Sequence, residues 1–267
     1  MESALLGKQI GRVEFVEDNL VLNKIPSETY QQEVLGATVA EVGRKGKFWW
    51  IRLENRMSLC GHLGMAGWIR EVGQPTARLK EHGKKPLDDE SGRPRILKMR
   101  LSAQDGRTVV MTDGRRLARL WLAEDPLQSK PIKQLGPDVY KEPRTPVQLH
   151  ELLRKRSAPI KALLLDQKLF AGVGNWLADE VLYQSRISPK REGNKISKDE
   201  FEVLLARLKK ILDDAIDAKA DENLFPSTWL FHRRWGGKRG ADAIDGMAIV
   251  REEVGGRTTA WVPELQK

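Results

Sequence analysis

The sequence predicts an α+β protein, strand-rich in its first part, helical in its second, and returning to strand at its end. Three observations predict it. Short alternating apolar runs punctuated by glycine fill the first hundred or so residues. Behind recognisable caps, apolar residues then recur at helical spacing from Thr145 to Leu212, and a Gly-Gly pair at Gly255-Gly256 separates two strand-like runs. The chain of 267 residues is long enough for two domains of ordinary size.

Taken in order, Val13, Phe15, Val39, Phe48, Trp50, Ile96, Leu101, Val109 and Val110 lie in the alternating runs. Gly46, Gly61, Gly64, Gly67 and Gly106 break them. Between Gln74 and Pro94 a polar segment with Pro75, Pro86 and Pro94 reads as a long loop. The pattern changes around Asp125-Pro126 and Lys130-Pro131, which places a domain boundary there. Thr145-Pro146 is a cap with proline at the first helical position, and Leu149, Leu152 and Leu153 form the stripe behind it. A second helix is expected from Ile160 to Lys168, and a third from Trp176 to Gln184 with Asn175 as its cap. Ser197 and Glu200 make a capping box for a long amphipathic helix carrying Phe201, Leu204, Leu205, Leu208, Ile211 and Leu212. Strands are expected over Met247 to Val254 and Arg257 to Val262.

Charge narrows the function classes. Forty-six basic residues against thirty-seven acidic ones leave a net charge of +9, which suits a polyanionic partner. The basic residues cluster at Arg44-Lys45-Lys47, between Arg93 and Arg119, and at Arg154-Lys155-Arg156-Lys161, and this clustering points to a phosphate-binding surface. No run of apolar residues reaches the length of a membrane helix and no secretory core opens the chain, so no membrane partner is expected. The expected compartment is the cytoplasm with its nucleoid, or the nucleus. Cys60 is the only cysteine, which excludes an internal disulfide and any site built on several thiolates; no metal and no cofactor are expected.

The segment LLLDQKLFAGVGNWLADEVLYQSRISP, Leu163 to Pro189, is the most specific signal. It reads as helix, glycine turn, helix, with free backbone N–H groups and the Asn175 amide at the start of the second helix, a ready phosphate grip. This stretch resembles the helix–two-turns–helix of the formamidopyrimidine-DNA glycosylase and endonuclease VIII family. So, in the same order, do RKGKFWWIRL (Arg44 to Leu53), GHLGMAGW (Gly61 to Trp68), TDGRRLAR (Thr112 to Arg119), LGPD (Leu135 to Asp138) and GGRTTAWVPELQK (Gly255 to Lys267). The last resembles the finger of the plant-type branch.

The resemblance implies an N-terminal β-sandwich over residues 1–125, a helix–two-turns–helix DNA-binding domain over 126–230 and a zincless β-hairpin finger over 231–267. Many relatives hold the finger with four zinc-binding cysteines, but no cysteine follows Cys60 here and His232 cannot replace them. Packing by Trp235, Trp261, Ile249 and Val262 is expected instead. The implied partner is double-stranded DNA with oxidised bases or abasic sites, bound by a monomer. The implied activity is that of a glycosylase and abasic-site lyase of base excision repair acting on oxidised purines.

By the same resemblance Met65, Arg115 and Leu117 fill the space left by an everted base, Leu117 standing where the family often has phenylalanine. Lys47 and Arg257 match basic residues that act on the phosphates around the lesion sugar and belong to the catalytic set. Arg156, Lys161 and Asn175 complete the DNA-binding set. The family's nucleophile is an N-terminal proline amine followed by a glutamate. Met1 and Glu2 do not match that pair, and LLGKQI resembles the end of the family's first helix, so the nucleophile segment is read as missing. A longer chain that carries the pair is one expectation, and a lesion or abasic-site binder without lyase chemistry is the alternative. An RNA-binding reading also exists, but the Met65 and Arg115 motifs disfavour it because RNA binding needs no duplex wedge.

Overall fold

The alternating runs of the first part become the strands of a sandwich. A computed structural model describes residues 1–75, 79, 88–90, 93–236 and 242–267. Its contacts divide the chain into two units, Met1–Gln134 and Leu135–Lys267. Most of the expected loop between Gln74 and Pro94 lies outside the described residues.

The first unit runs α1 (Glu2–Leu5), β1 (Ile10–Phe15), α2 (Ser27–Val34), β2 (Val39–Lys45), β3 (Phe48–Leu53), β4 (Ser58–His62), β5 (Trp68–Glu71), β6 (Leu97–Ala103), β7 (Thr108–Thr112), β8 (Arg119–Ala123) and α3 (Lys130–Lys133). Among the described residues the strands form two antiparallel four-stranded sheets, ordered β1-β6-β7-β5 and β2-β3-β4-β8. Burial explains why they pair face to face. Along β6, Leu97, Met99, Leu101 and Ala103 are buried while the residues between them are partly exposed, the period-two pattern of a half-covered strand. Met99, Leu101 and Met111 of one sheet share a single apolar core with Ile51, Leu59 and Leu120 of the other. Tyr30 of α2 ties the edge, its hydroxyl 2.9 Å from both the Leu22 and Leu120 carbonyls.

The second unit holds α4 (Pro146–Leu153), α5 (Ile160–Leu165), α6 (Asn175–Gln184) and α7 (Lys198–Asp217). Two of the three expected caps form. The Thr145 hydroxyl accepts the Gln148 N–H while the Gln148 side chain accepts the Thr145 N–H, and Ser197 and Glu200 repeat the arrangement for α7. Two boundaries differ from expectation. Helix α5 stops at Leu165 rather than Lys168, because Asp166 turns to extended backbone and its carboxylate accepts the Lys168 N–H. Helix α6 begins at Asn175 with Gly174 as the flanking residue, so Asn175 does not cap it. The Asn175 amide instead donates to the Thr258 carbonyl at 3.0 Å.

The chain ends in β9 (Ala243–Ile244), β10 (Met247–Ala248), β11 (Val250–Val254) and β12 (Arg257–Trp261). The strand expected from Met247 breaks at Ile249, whose N–H bonds the Asp242 carbonyl and whose side chain turns into the core. Ile244, Ile249, Ala260 and Val262 pack there with Tyr183 and Leu230 of the helical part, so the finger and the helices share one apolar cluster. Of the other residues expected to hold the finger, Trp261 is buried and donates to Glu252 at 2.8 Å. Trp235 meets Phe231 edge-on with ring centres 5.1 Å apart. No helix among the described residues is long and apolar enough to cross a membrane.

Candidate nucleic-acid interface

Strand register brings the first-unit motif residues together. Phe48 at the start of β3 pairs with His62 at the end of β4, and His62 pairs with Arg119 at the start of β8. The β2–β3 turn with Lys47, the loop after β4 with Met65, and the loop before β8 with Arg115 and Leu117 therefore all leave the same end of one sheet. Each of these four side chains belongs to an exposed residue, Met65 at 56% and Leu117 at 38% relative exposure. Two large apolar groups in water beside two cations are unusual for a loop edge and suit insertion between bases.

The two loops lock against each other. A Cβ on Gly64, which has φ +60°, would lie 2.6 Å from the backbone carbon and oxygen of Leu117, so only glycine permits this approach. The Gly64 N–H donates to His62 Nδ1 at 3.0 Å. Burial, with Lys47 and Arg119 nearby, lowers the His62 pKa, which keeps that nitrogen an acceptor. Asp113, fully buried, accepts the N–H groups of Arg115 at 3.0 Å and Ala118 at 2.7 Å and so shapes the second loop. His62 and Asp113 were not singled out in the sequence. Asp113 and His62 lie inside the quoted motifs, and burial of a polar residue between strand and loop is the signal that was missed.

The α-amine of Met1 lies elsewhere in this unit. It is half-buried beside Glu71 and Arg107, and Arg107 also bonds the Ser3 carbonyl. Glu71 pairs with Val109, whereas Trp68 and Thr112 pair at the motif end of the same sheet, roughly 10 Å away along the strand.

In the second unit the glycine turn meets the finger. Gln167 organises the turn. Its amide donates to the Leu165 and Val173 carbonyls at 2.9 Å each, and its oxygen accepts the Gly172 N–H at 3.1 Å. Asn175 opens α6 and binds the carbonyl of Thr258, the neighbour of exposed Arg257. A Cβ on Gly255 would meet the Ala162 Cβ at 2.6 Å, so the fingertip rests directly on α5. Asn175 and Arg257 thus stand together at a helix N-terminus, where backbone N–H groups favour an anion. Arg156 is exposed in the turn between α4 and α5.

Lys161 is a correction. Expected among the DNA-binding residues, it is 0% exposed. Its Nζ lies 2.6 Å from Asp179 and donates to the Thr259 hydroxyl at 2.6 Å and the Thr258 carbonyl at 3.1 Å. Asp179 is shared with buried Arg234 at 2.7 Å. A lysine enclosed this way cannot reach a phosphate; it fixes strand β12 beside Arg257. Desolvation lowers its pKa while the Asp179 carboxylate opposes that shift.

Next to this cluster, Glu180 is fully buried and accepts from Gln184 and from the Phe231 N–H, both at 2.8 Å. Burial pushes its pKa up to about 7, against the effect of those hydrogen bonds. A carboxyl whose folded pKa exceeds its unfolded value near 4.5 stabilises the fold fully below that value. The contribution is lost as pH rises through about 7, a difference of about 3 kcal/mol. Denaturation of the second unit at pH 5 and pH 8 is expected to show this loss, and Glu180→Gln should flatten it. Equal pH slopes in both proteins would contradict the assignment.

No group of three or more His, Cys, Asp or Glu residues able to hold a metal ion occurs among the described residues. Arg251 does part of the bridging in the finger, donating to the carbonyls of Arg234 at 3.1 Å and Arg233 at 2.7 Å and to Asp242 at 3.0 Å. Elemental analysis is expected to find no stoichiometric zinc, and chelators should leave the melting profile unchanged; one tight zinc per chain would contradict this.

Comparison with known proteins agrees with these features. The model of the formamidopyrimidine-DNA glycosylase N-terminal domain matches residues 1–120, and that of the family's H2TH domain matches residues 135–226. A formamidopyrimidine-DNA glycosylase of Arabidopsis thaliana is 40% identical over 267 residues, covering 100% of this chain and 68% of its own length. One from Rhizorhabdus wittichii is 30% identical over 277 residues, with 98% and 94% covered. The fold matches that of the Lactococcus lactis enzyme bound to DNA containing an abasic site, with TM-score 0.78, 23% identity, and 98% and 94% of the two chains covered. With both of its domains matched in order and its motif residues gathered at two loop clusters, the chain belongs to the formamidopyrimidine-DNA glycosylase family.

Proposed function

We propose that this protein opens duplex DNA at an oxidised purine with Met65, Arg115 and Leu117, and holds the surrounding phosphates with Lys47, Asn175, Arg156 and Arg257. The activity is that of its family, a DNA glycosylase of oxidised-base repair with abasic-site lyase chemistry. The Lactococcus relative has been solved with abasic-site DNA and with DNA containing FAPY-dG. The work belongs where DNA is kept, in the nucleoid or the nucleus. The observation that carries the reading is the convergence of two exposed apolar residues and two cations at one end of a sheet.

The chemistry supplies the reason for each part. A base stacked in a duplex presents no open path to its glycosidic bond, so it must be rotated out, and the gap must be filled to keep it out. Met65 and Leu117 offer apolar surface to the exposed base faces, and Arg115 offers donors to the unpaired partner base. Asn175, Arg257 and the free N–H groups of α6 oppose the phosphate charge on the kinked strand.

Asn175→Ala and Arg257→Ala are each expected to weaken binding to abasic-site duplex by ~1–3 kcal/mol at fixed salt. Arg257→Ala should also lower the salt slope by about one. Unchanged affinity in both variants would place the phosphate grip elsewhere.

A further inference from the structure

Asp18, in the segment between β1 and α2, belongs to none of the motifs that carry the family likeness. Its side chain is 4% exposed, and it is engaged from three directions. Arg116 docks on it with both arms, Nε to one oxygen at 2.9 Å and Nη2 to the other at 3.0 Å. Lys98 adds a contact at 2.7 Å, and the N–H groups of Leu20 and Val21 donate to it at 3.1 and 3.2 Å. Burial alone would raise the Asp18 pKa. The hydrogen bonds from Arg116, Lys98 and Val21 outweigh it and hold the group well below the usual carboxylate range.

Arg116 is the residue between Arg115 and Leu117, and it has φ +56°, a left-handed backbone that costs any residue with a Cβ. Something must hold it there. Asp113 fixes the two ends of the loop through the N–H groups of Arg115 and Ala118, but it does not touch the residue at the apex. Arg119 gives the apex one bond, Nη1 to the Arg116 carbonyl at 3.0 Å, whereas Asp18 takes both arms of the Arg116 side chain, and a planar fork on a carboxylate defines orientation as well as distance. The Asp18 segment is itself anchored, since Leu120 donates to the Val21 carbonyl at 2.7 Å just beyond the loop.

We propose that Asp18 is a positioning residue for base opening: its two-armed pair with Arg116 holds the left-handed turn that aims Arg115 and Leu117 at the duplex. The inference rests on the reading of Arg115 and Leu117 as wedge residues. Arg116 is thereby spent on the protein itself, so of the paired arginines in TDGRRLAR only Arg115 is available to DNA.

The experiment uses the whole chain and a duplex with a tetrahydrofuran abasic analogue flanked by 2-aminopurine, whose fluorescence rises when its stacking is broken. Asp18→Asn and Arg116→Gln are expected to lose most of the rise, as Leu117→Ala and Arg115→Ala do. The Asp18→Asn/Arg116→Gln double variant should lose no more than either single change, because both remove the same pair. Binding to single-stranded oligonucleotide, which needs no wedge, should stay within about twofold. Arg116→Gln changes a half-exposed side chain and so serves even where Asp18→Asn fails to fold. A full fluorescence rise in Arg116→Gln, with the rise lost in Leu117→Ala, would overturn the clamp while leaving the wedge standing. A full rise in Leu117→Ala and Arg115→Ala would overturn the wedge and the clamp with it.

Discussion

Asp179→Ala is expected to destabilise the second unit by ~3–5 kcal/mol, the range for breaking a buried ion pair and leaving its partners uncompensated. The Asp179 side chain is 1% exposed and stands between Lys161 at 2.6 Å and Arg234 at 2.7 Å. It also accepts the Ala260 N–H of β12 at 3.3 Å. Removal takes the carboxylate away from two buried cations, Lys161 fully enclosed and Arg234 nearly so, and frees a strand N–H. Denaturant unfolding followed by amide exchange in β11 and β12 measures the effect, with the finger expected to lose protection first. Replacing both members, Lys161→Met with Asp179→Leu, should do less harm than Asp179→Ala alone, since no charge of that pair stays behind. A loss under about 1 kcal/mol for Asp179→Ala would show that the network is not what holds the finger. This matters because the chain has one cysteine, buried in the first unit, so the finger cannot be tied by the thiolates that serve zinc-bearing relatives.

Gly64→Ala is expected to cost about 3 kcal/mol, combining overpacking of ~1–3 kcal/mol with a left-handed backbone penalty of ~1–2 kcal/mol. The new methyl carbon would sit 2.6 Å from the Leu117 backbone carbon and oxygen, and backbone cannot swing aside as a side chain can. The loops of Met65 and Leu117 must then separate, so the 2-aminopurine signal should fall while the two sheets persist. Gly73→Ala is the control. Gly73 has φ +79° and nothing within 4 Å of an added Cβ, so it should show the conformational penalty alone and keep the DNA signal. Equal losses for the two variants would remove the argument from close packing.

Period and punctuation determined much of the architecture from the sequence alone. Alternation in the strands of the first part, the Thr145-Pro146 cap, the Ser197–Glu200 box and the turn at Gly255-Gly256 are local patterns, and local physics suffices to read them. Met65, Arg115 and Leu117 are identified by the family resemblance and not by any local pattern; the structure places all three as exposed residues on loops. Only the tertiary structure decided which charges are free. Lys161 sits in a basic run with Arg154, Lys155 and Arg156, and nothing local distinguishes it. It is buried because Asp179, one helix later, and Thr259, 98 residues away, close around it. The same holds for Arg116, which reads as a twin of Arg115 until Asp18, 98 residues earlier, is seen to take both its arms. An ion pair leaves no periodic trace, because its energy depends on distance and burial and neither is a property of neighbours along the chain.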